Sequence, residues 1–259
     1  IIFPTRYQGL PVTRIENFSE LPDINSVKLS ASITEIGKLA FRLCTGLTEI
    51  VIPKTVKKID INPFADCNNI ISIIVDEENP YYNSKNDCNA IIETASNTLI
   101  TGCGITIIPK GIKRIGDYSF YGYDTLAAIN LPSGLVGIGD NAFRGCINLN
   151  NVKIPNSVTS IGKGAFAECS NLTKISLPND LTKISAFTFF ECNNLQSISI
   201  PESVTVIDEF AFRNCKSLKK IFLPKGITEI YPYSLSGCES LTEIDIPDGV
   251  TRIEYNAFF

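Results

Sequence analysis

The chain of 259 residues contains no His, Met or Trp. Without His it cannot build a Ser-His-Asp or Cys-His nucleophile, and it cannot bind a metal through imidazole. No apolar run reaches the roughly 18 residues that a membrane helix needs. Basic residues are not in excess, with 23 Lys and Arg against 27 Asp and Glu, which argues against a nucleic-acid surface. The 44% hydrophobic content is sufficient for a folded core, in one large domain or two.

What the chain does contain is a repeat with a step of 23 residues. The step is carried by an anchor proline in most coils: Pro53, Pro109, Pro132, Pro155, Pro178, Pro201, Pro224 and Pro247. Six positions after each anchor stands Ile, as in Ile161 and Ile184. Eleven positions after it stands an aromatic residue, with Leu235 in the one gap: Phe41, Phe64, Phe120, Phe143, Phe166, Phe189, Phe212 and Phe258. Fourteen positions after it stands Cys, or Tyr123 in one coil: Cys44, Cys67, Cys146, Cys169, Cys192, Cys215 and Cys238.

One such repeat cannot fold alone. Its few apolar side chains, worth roughly 1.5–3 kcal/mol each when buried, do not offset the roughly 1–2 kcal/mol per residue of lost backbone entropy. Stacking covers both open faces of a coil, so the repeat predicts a solenoid in which the aromatic column forms a buried spine. The alternation before each anchor predicts a short parallel strand ended by proline. The stretch from Val158 to Gly162 predicts a second extended piece, and Ala165 to Cys169 a helical or 3₁₀ turn.

The unit Leu-x-x-Ile-x-Ile-Pro-x-x-Val-x-x-Ile-Gly-x-x-Ala-Phe-x-x-Cys resembles the BspA-like, or Treponema pallidum type, leucine-rich repeat, and residues 171–192 are a close copy of it. The resemblance implies a right-handed leucine-rich-repeat solenoid with a parallel β-sheet on its concave face and short strands and turns elsewhere. It also implies a bacterial surface or secreted protein with adhesion or protein-binding roles. The family has no catalytic residues or cofactor to transfer.

Two stretches break the repeat within what we interpret as a single domain, residues 1–259. Residues 1–30 form a longer, irregular first coil. Residues 76–109 form a variant repeat that lacks the Phe and Cys columns. In it, two β-rich runs, Cys88–Glu93 and Thr98–Cys103, flank the polar loop Thr94–Asn97, which predicts a β-hairpin that projects from the solenoid.

Two cysteines of the variant repeat lie outside the Cys column. Pairing Glu93 with Thr98 in the hairpin places Cys88 opposite Cys103, so these two residues form either a disulfide or a pair of packed free thiols. The seven column cysteines are interpreted as buried, unpaired thiols, because stacked side chains that point the same way are poorly placed for bridging. The chain has no CxxC pair, and we expect neither a metal site nor any other cofactor.

The informative surface is the concave sheet, whose outward residues stand two and four positions before each anchor. An apolar group near the N-terminal third is the candidate binding patch: Val51, Ile71, Ile74, Tyr81 and Tyr82, with Phe222 as a lone exposed aromatic farther along. The alternative is that the variant repeat shifts the register and buries these residues.

These patterns favour a non-enzymatic recognition or adhesion module that binds a protein of the host or of the bacterial surface. A carbohydrate-binding module and a passive spacer are the alternatives, and neither nucleic acid nor membrane insertion is expected. The surface or extracellular location follows only from the resemblance. The chain begins at Ile1 and stops before the Cys position of its last coil, so we expect a processed or longer natural chain whose final open face is exposed or disordered.

Overall fold

The computed structural model describes residues 1–259, which form a β-solenoid of about ten coils with almost no helix. Each regular coil has two short strands and a turn segment, so the molecule has three sides. The only helical element is a 3₁₀ segment at Lys85–Asp87. The strands are β1 (Arg6–Tyr7), β2 (Leu10–Pro11), β3 (Arg14–Ile15), β4 (Ser26–Lys28), β5 (Glu35–Ile36), β6 (Glu49–Ile52), β7 (Lys58–Ile59), β8 (Ser72–Val75), β9 (Tyr82–Asn83), β10 (Ile91–Glu93), β11 (Thr98–Thr101), β12 (Arg114–Ile115), β13 (Gly137–Ile138), β14 (Asn151–Lys153), β15 (Ser160–Ile161), β16 (Lys174–Ser176), β17 (Lys183–Ile184), β18 (Ser197–Ile198), β19 (Val206–Ile207), β20 (Lys220–Ile221), β21 (Glu229–Ile230) and β22 (Arg252–Ile253).

The first side carries the parallel strands that precede each anchor. β4, β6 and β8 form one ladder, and β14 with β16 and β18 with β20 continue it in the later coils. Partners in neighbouring coils stand one repeat apart, as Val152 and Ile175 do. Their side chains alternate between the core and solvent, because successive residues of a strand point to opposite faces. This side is called the first sheet below.

The second side is the sheet that contains the Ile column. Ile115, Ile138 and Ile161 pair in register through β12, β13 and β15. The pattern is repeated by β3, β5 and β7 before the variant repeat and by β17, β19, β21 and β22 after it. The second extended piece of each coil is therefore present where the sequence pattern indicates it.

The third side, here called the turn side, holds the aromatic and Cys columns. The rings of Phe120, Phe143, Phe166, Phe189 and Phe212 lie face to face, with centroids 5.1–6.0 Å apart. All five are fully buried in one core that extends along the molecule. Leu235 is buried in the same column. Phe258, in the coil nearest the C-terminal end of residues 1–259, is the exception at 40% exposed.

The turn segments contain no continuous helix, and of the two forms expected for Ala165 to Cys169 the structure has single turns of 3₁₀ type. Isolated i to i+3 hydrogen bonds are present, such as Cys169 N–H to the carbonyl of Phe166 (3.3 Å). They are interrupted by residues with left-handed backbone, here Gly164 (φ 60°) and Glu168 (φ 60°). A left-handed residue ends any right-handed helix, so each coil turns the corner in single tight turns. Between coils, backbone bonds such as Phe143 N–H to the carbonyl of Ala165 (2.8 Å) join the turns.

The hairpin of the variant repeat exists but does not project. β10 pairs antiparallel with β11 and β9, and β11 then pairs in parallel with β12 of the next coil. Ile91, Ile92 and Leu99 are buried. Only the loop at its tip is exposed. Burial of these apolar side chains against the neighbouring coils favours the inserted arrangement over a free-standing two-stranded hairpin, which is marginally stable in water.

The turn side bypasses the variant repeat, which has no Phe and Cys turn of its own. In regular coils the Cys thiol donates to the carbonyl of the Phe in the previous coil, as Cys169 does to Phe143 (3.1 Å). Tyr123 stands at the Cys position of the coil after the variant repeat, and its hydroxyl donates to the carbonyl of Phe64 (3.0 Å). Tyr123 is fully buried. The longer side chain preserves the coil-to-coil bond across the interruption.

The irregular first coil closes the N-terminal end of the core. Phe3 and Phe18 pack edge to face with centroids 4.9 Å apart, and Phe18 lies 6.1 Å from Phe41. The thiol of Cys44 donates to the carbonyl of Phe18 (3.3 Å), which places Phe18 in the aromatic column.

Candidate binding surface

The outward residues of the first sheet are exposed, and their chemistry changes along the solenoid. Only Ser72 among them is half-buried. From coil to coil the pairs are Glu49 and Val51, Ser72 and Ile74, Ala128 and Asn130, Asn151 and Lys153, Lys174 and Ser176, Ser197 and Ser199, Lys220 and Phe222, and Glu243 and Asp245. The backbone ladder holds these pairs one coil apart while leaving their side chains free.

The apolar part of the candidate patch lies on β6 and β8. Val51 and Ile74 are direct partners in the ladder and are 40% and 46% exposed. Ile71 is also exposed, just ahead of β8. The free edge of β8 is capped by side chains, because Ser84 Oγ and Asn89 Oδ1 accept from the amides of Val75 and Ile73. This edge is therefore closed to a further strand.

The other members of the candidate patch lie elsewhere. Tyr82 is buried in β9, where its hydroxyl accepts from the amide of Ile59 (2.9 Å) and burial raises its pKa. Including Tyr82 in a surface patch was wrong, since the variant repeat turns it inward. Tyr81 is exposed and immediately precedes β9, and its carbonyl accepts from the amide of Thr94 at the end of the hairpin. Phe222 is exposed far along the first sheet, and its ring centroid lies 4.4 Å from Lys220 Nζ.

Two exposed apolar residues of the first sheet were missed. Ile105 and Ile107 are 52% and 73% exposed, and they stand four and two positions before Pro109. Their spacing to Pro109 is the sequence signal that identifies them as outward residues. The signal is weak because Thr106 stands between them, at the position where other coils have an inward Ile or Val. The 84–89 segment separates them from Ile74, since the amide of Ile107 donates to the carbonyl of Cys88.

A groove opens where the ladder of the first sheet is interrupted. Only Ala128 and Asn151 are bridged between the two coils there. The opening has a volume of about 800 Å³, and its wall combines apolar residues such as Leu131 with polar side chains that include Asn130, Lys153 and Ser157. No aromatic residue contributes to its wall. Its amide and hydroxyl groups can donate and accept hydrogen bonds.

The column cysteines are free thiols that pack in the core, where all but the half-buried Cys238 are buried. Burial raises the pKa of the Cys67 thiol to about 12 and those of Cys146, Cys192 and Cys215 well above their ordinary value. A thiol is nucleophilic as its thiolate, so these buried groups are inert at neutral pH.

Cys88 and Cys103 are free thiols in the structure. The hairpin pairs Glu93 with Thr98 as expected, but a bulge between Ile91 and Ile92 shifts the register by one residue toward the cysteines. Cys88 is therefore no longer directly opposite Cys103. Each thiol instead lies near a backbone carbonyl, that of Ala90 for Cys88 (3.7 Å) and that of Asn89 for Cys103 (3.6 Å).

A second row of aromatic residues lies on the turn side, outside the buried spine. Phe187, Phe210 and Tyr233 stand one coil apart, are half-buried, and stack with centroids 4.7 and 5.0 Å apart. We call these three residues the outer aromatic ladder. They stand nine positions after the anchor, where other coils have residues as different as Leu39 and Asn141, so no repeat-wide column marked them.

The stacked coils define the class of leucine-rich-repeat solenoids. Within it, the chain belongs to the family of the BspA type leucine-rich repeat region, whose model matches residues 13–94, 93–193 and 159–259 in six copies. No curated protein sequence matches the chain significantly. The molecule has no helix long and apolar enough to cross a bilayer.

Solved structures of similar fold come from bacteria. A leucine-rich repeat protein of Eubacterium ventriosum is 23% identical, with a TM-score of 0.76 over 97% of this chain and 80% of its own. A leucine rich cell surface protein of Faecalibacterium prausnitzii is 28% identical, with a TM-score of 0.66 over 94% of this chain and 58% of its own. One from Bacteroides ovatus is 28% identical, with a TM-score of 0.62 over 93% and 53%. This chain thus spans little more than half of the latter two.

Proposed function

We propose that the chain is a non-catalytic recognition module that binds a protein partner through the surface of its solenoid. The observation that carries this proposal is the contrast between inward and outward residues within each coil. Inward residues such as Ile175 and Ile198 repeat because they build the core, whereas the outward residues beside them, Lys174 and Ser199, vary freely. A rigid solenoid whose exposed positions vary from coil to coil is suited to specific binding of an extended partner.

Binding is favoured over catalysis because the reactive groups are unsuited to chemistry. The column thiols are buried with raised pKa values, and the carboxylates of Glu243 and Asp245 are exposed to water on the first sheet. A catalytic carboxylate with a shifted pKa requires a desolvated environment, which an exposed strand face does not provide.

We further propose a secreted or cell-surface location. It is supported by the bacterial leucine-rich-repeat fold and by the 28% identity to a structure described as a leucine rich cell surface protein. Carbohydrate binding is the second candidate, and the side-chain amides of Asn130 and Asn151 in the groove of the first sheet favour it. A role as a passive spacer in a larger surface protein is the remaining alternative.

The test is binding of the purified chain to an array of purified extracellular proteins and, in parallel, to a glycan array. One exposed lysine on each sheet is reversed in charge, with Lys174→Glu on the first sheet and Lys57→Glu beside β7 on the second. Saturable binding of a protein that responds to a surface substitution supports the proposal. Saturable glycan binding that Asn151→Ala weakens favours the second candidate. Turnover of a hydrolase substrate that one carboxylate substitution abolishes contradicts a non-catalytic role.

A further inference from the structure

The outer aromatic ladder is not required by the core. The buried spine beside it, Phe189 and Phe212, already fills the interior of the same coils. In three other coils the position of the ladder is occupied by Asn141, Gly164 and Asn256. The solenoid therefore continues through this position without an aromatic ring.

The backbone makes large side chains unexpected there. Phe187, Phe210 and Tyr233 have φ angles of 60°, 57° and 54°, in the left-handed region. Asn and Gly adopt this region readily, and bulky residues are uncommon in it. Three consecutive coils thus hold a half-buried aromatic residue at a strained position, with Phe190 packed edge to face against Phe187 (5.8 Å).

Arg213 lies beside the ladder without a counter-ion. Its Cζ is 5.5 Å from the ring centroid of Phe210 and 5.3 Å from that of Tyr233. The guanidinium makes no ion pair or hydrogen bond, and its Nε is buried without a partner. The amide of Glu191 donates to the carbonyl of Arg213 (2.8 Å).

Comparison with the equivalent arginines of other coils shows that Arg213 lacks an acidic partner. Two other coils have Arg at the position of Arg213, and each arginine pairs with an acid of the next coil. Arg42 Nε lies 3.2 Å from Asp66 Oδ2, and Arg144 Nη2 lies 2.6 Å from Glu168 Oε1. The residue equivalent to these acids in the coil after Arg213 is Gly237. The salt bridge is therefore missing at the coil where the half-buried rings of the ladder lie beside the arginine.

We propose that the outer aromatic ladder and Arg213 form the contact surface for a protein partner that supplies a carboxylate side chain in place of the missing acid. This inference rests on the proposed function and assigns it to the turn side. An acidic glycan is disfavoured because the stacked rings cover one another's faces, on which a sugar would pack. Aromatic residues and Arg, in contrast, are the residues most enriched at the energetic centres of protein interfaces.

The test uses the full chain and a synthetic library of blocked octapeptides, built from Leu, Phe, Tyr, Ser and Gly with one fixed Glu. A matched library has Gln in place of Glu. We expect saturable binding of Glu peptides, with Kd values at about the millimolar level or tighter. Replacing Glu with Gln should weaken it about tenfold, because a charge-assisted hydrogen bond is lost. Arg213→Gln should reduce Glu binding to the Gln level, and Arg144→Gln, which alters an arginine that is already paired, should not.

The sharpest variant is Gly237→Glu, which supplies the missing acid within the chain and should abolish the preference for Glu peptides. Its backbone already has φ of 71°, close to that of Glu168, and a new Cβ first meets the end of the Asn214 side chain (2.3 Å). Gly145→Glu is the matched control, because Tyr121 stands at the arginine position of the preceding coil. Denaturation midpoints verify that each variant is folded.

Each outcome decides the question. Glu-selective binding that Arg213→Gln and Gly237→Glu remove, and that both controls retain, supports the inference. Absence of saturable peptide binding, equal binding of Glu and Gln peptides, or stronger binding of polygalacturonate oligosaccharides overturns it. A protein found on the extracellular array that is insensitive to both variants refutes this surface while leaving the proposed function intact.

Discussion

Replacing Phe189 with Ala removes a ring from the middle of the buried spine. Phe189 is fully buried, and its centroid lies 6.0 Å from that of Phe166 and 5.2 Å from that of Phe212. The substitution therefore removes stacking on both faces and leaves a cavity between two coils. Changes of Phe to Ala in cores cost about 3–5 kcal/mol, and we expect Phe189→Ala to reduce the free energy of unfolding by that amount.

The loss should spread along the stack, because each coil is stabilised by its nearest neighbours. Urea denaturation followed by circular dichroism measures the effect. Ser199→Ala, on the exposed face of the first sheet, is the control and should change stability by no more than about 0.5 kcal/mol. Phe258→Ala, in the same column but 40% exposed, should cost less than about 2 kcal/mol. A neutral Phe189→Ala together with a severe Ser199→Ala would refute the inside and outside assignment.

Three further predictions concern the contacts between coils. Tyr123→Phe should cost about 1–3 kcal/mol in urea denaturation, because it leaves the buried carbonyl of Phe64 without its donor, and a neutral effect would contradict this role. Gly162→Ala should be destabilising by about 1–3 kcal/mol, because its Cβ would lie 2.5 Å from the backbone nitrogen of Asp140, whereas Gly134→Ala, with open space around it, should be nearly neutral. Burial raises the pKa of Cys67 and Cys238 from an ordinary 9.0 to about 12, so their contribution to stability should be complete below about pH 9 and lost as the pH rises toward 12. Unfolding midpoints at about pH 8 and pH 10 measure this, and a higher midpoint at the alkaline pH would contradict it.

The solenoid itself was predictable from the sequence because its energetics are local to one repeat. Each coil packs on a near copy of itself, so residues such as Ile161 and Ile184 must face the same interior at every step. The 23-residue spacing therefore determined the parallel ladders, the position of the two strands in each coil and the column to which each side chain belongs.

The arrangement of the variant repeat and of the candidate binding surfaces was decided by the tertiary structure. Where the repeat is broken, no neighbouring copy of the same repeat specifies which face of the hairpin is covered. The sequence therefore allows the hairpin either to project or to insert into the solenoid. Burial of Ile91 and Leu99 against the neighbouring coils favours insertion. The bulge between Ile91 and Ile92 moved Cys88 out of the position directly opposite Cys103, and a bulge changes register without altering the sequence pattern.

On the turn side, the orientation of single residues was likewise not predictable from the sequence. Nothing in the local sequence distinguishes Phe187 and Phe210 from core residues, because the left-handed backbone that turns them outward arises only when the coil closes. The open partner position of Arg213 is visible only by comparing it with Arg42 and Arg144 in three dimensions. Repetition of the core made the fold predictable from the sequence. The departures from repetition were not predictable in this way, because they depend on contacts between residues in different coils.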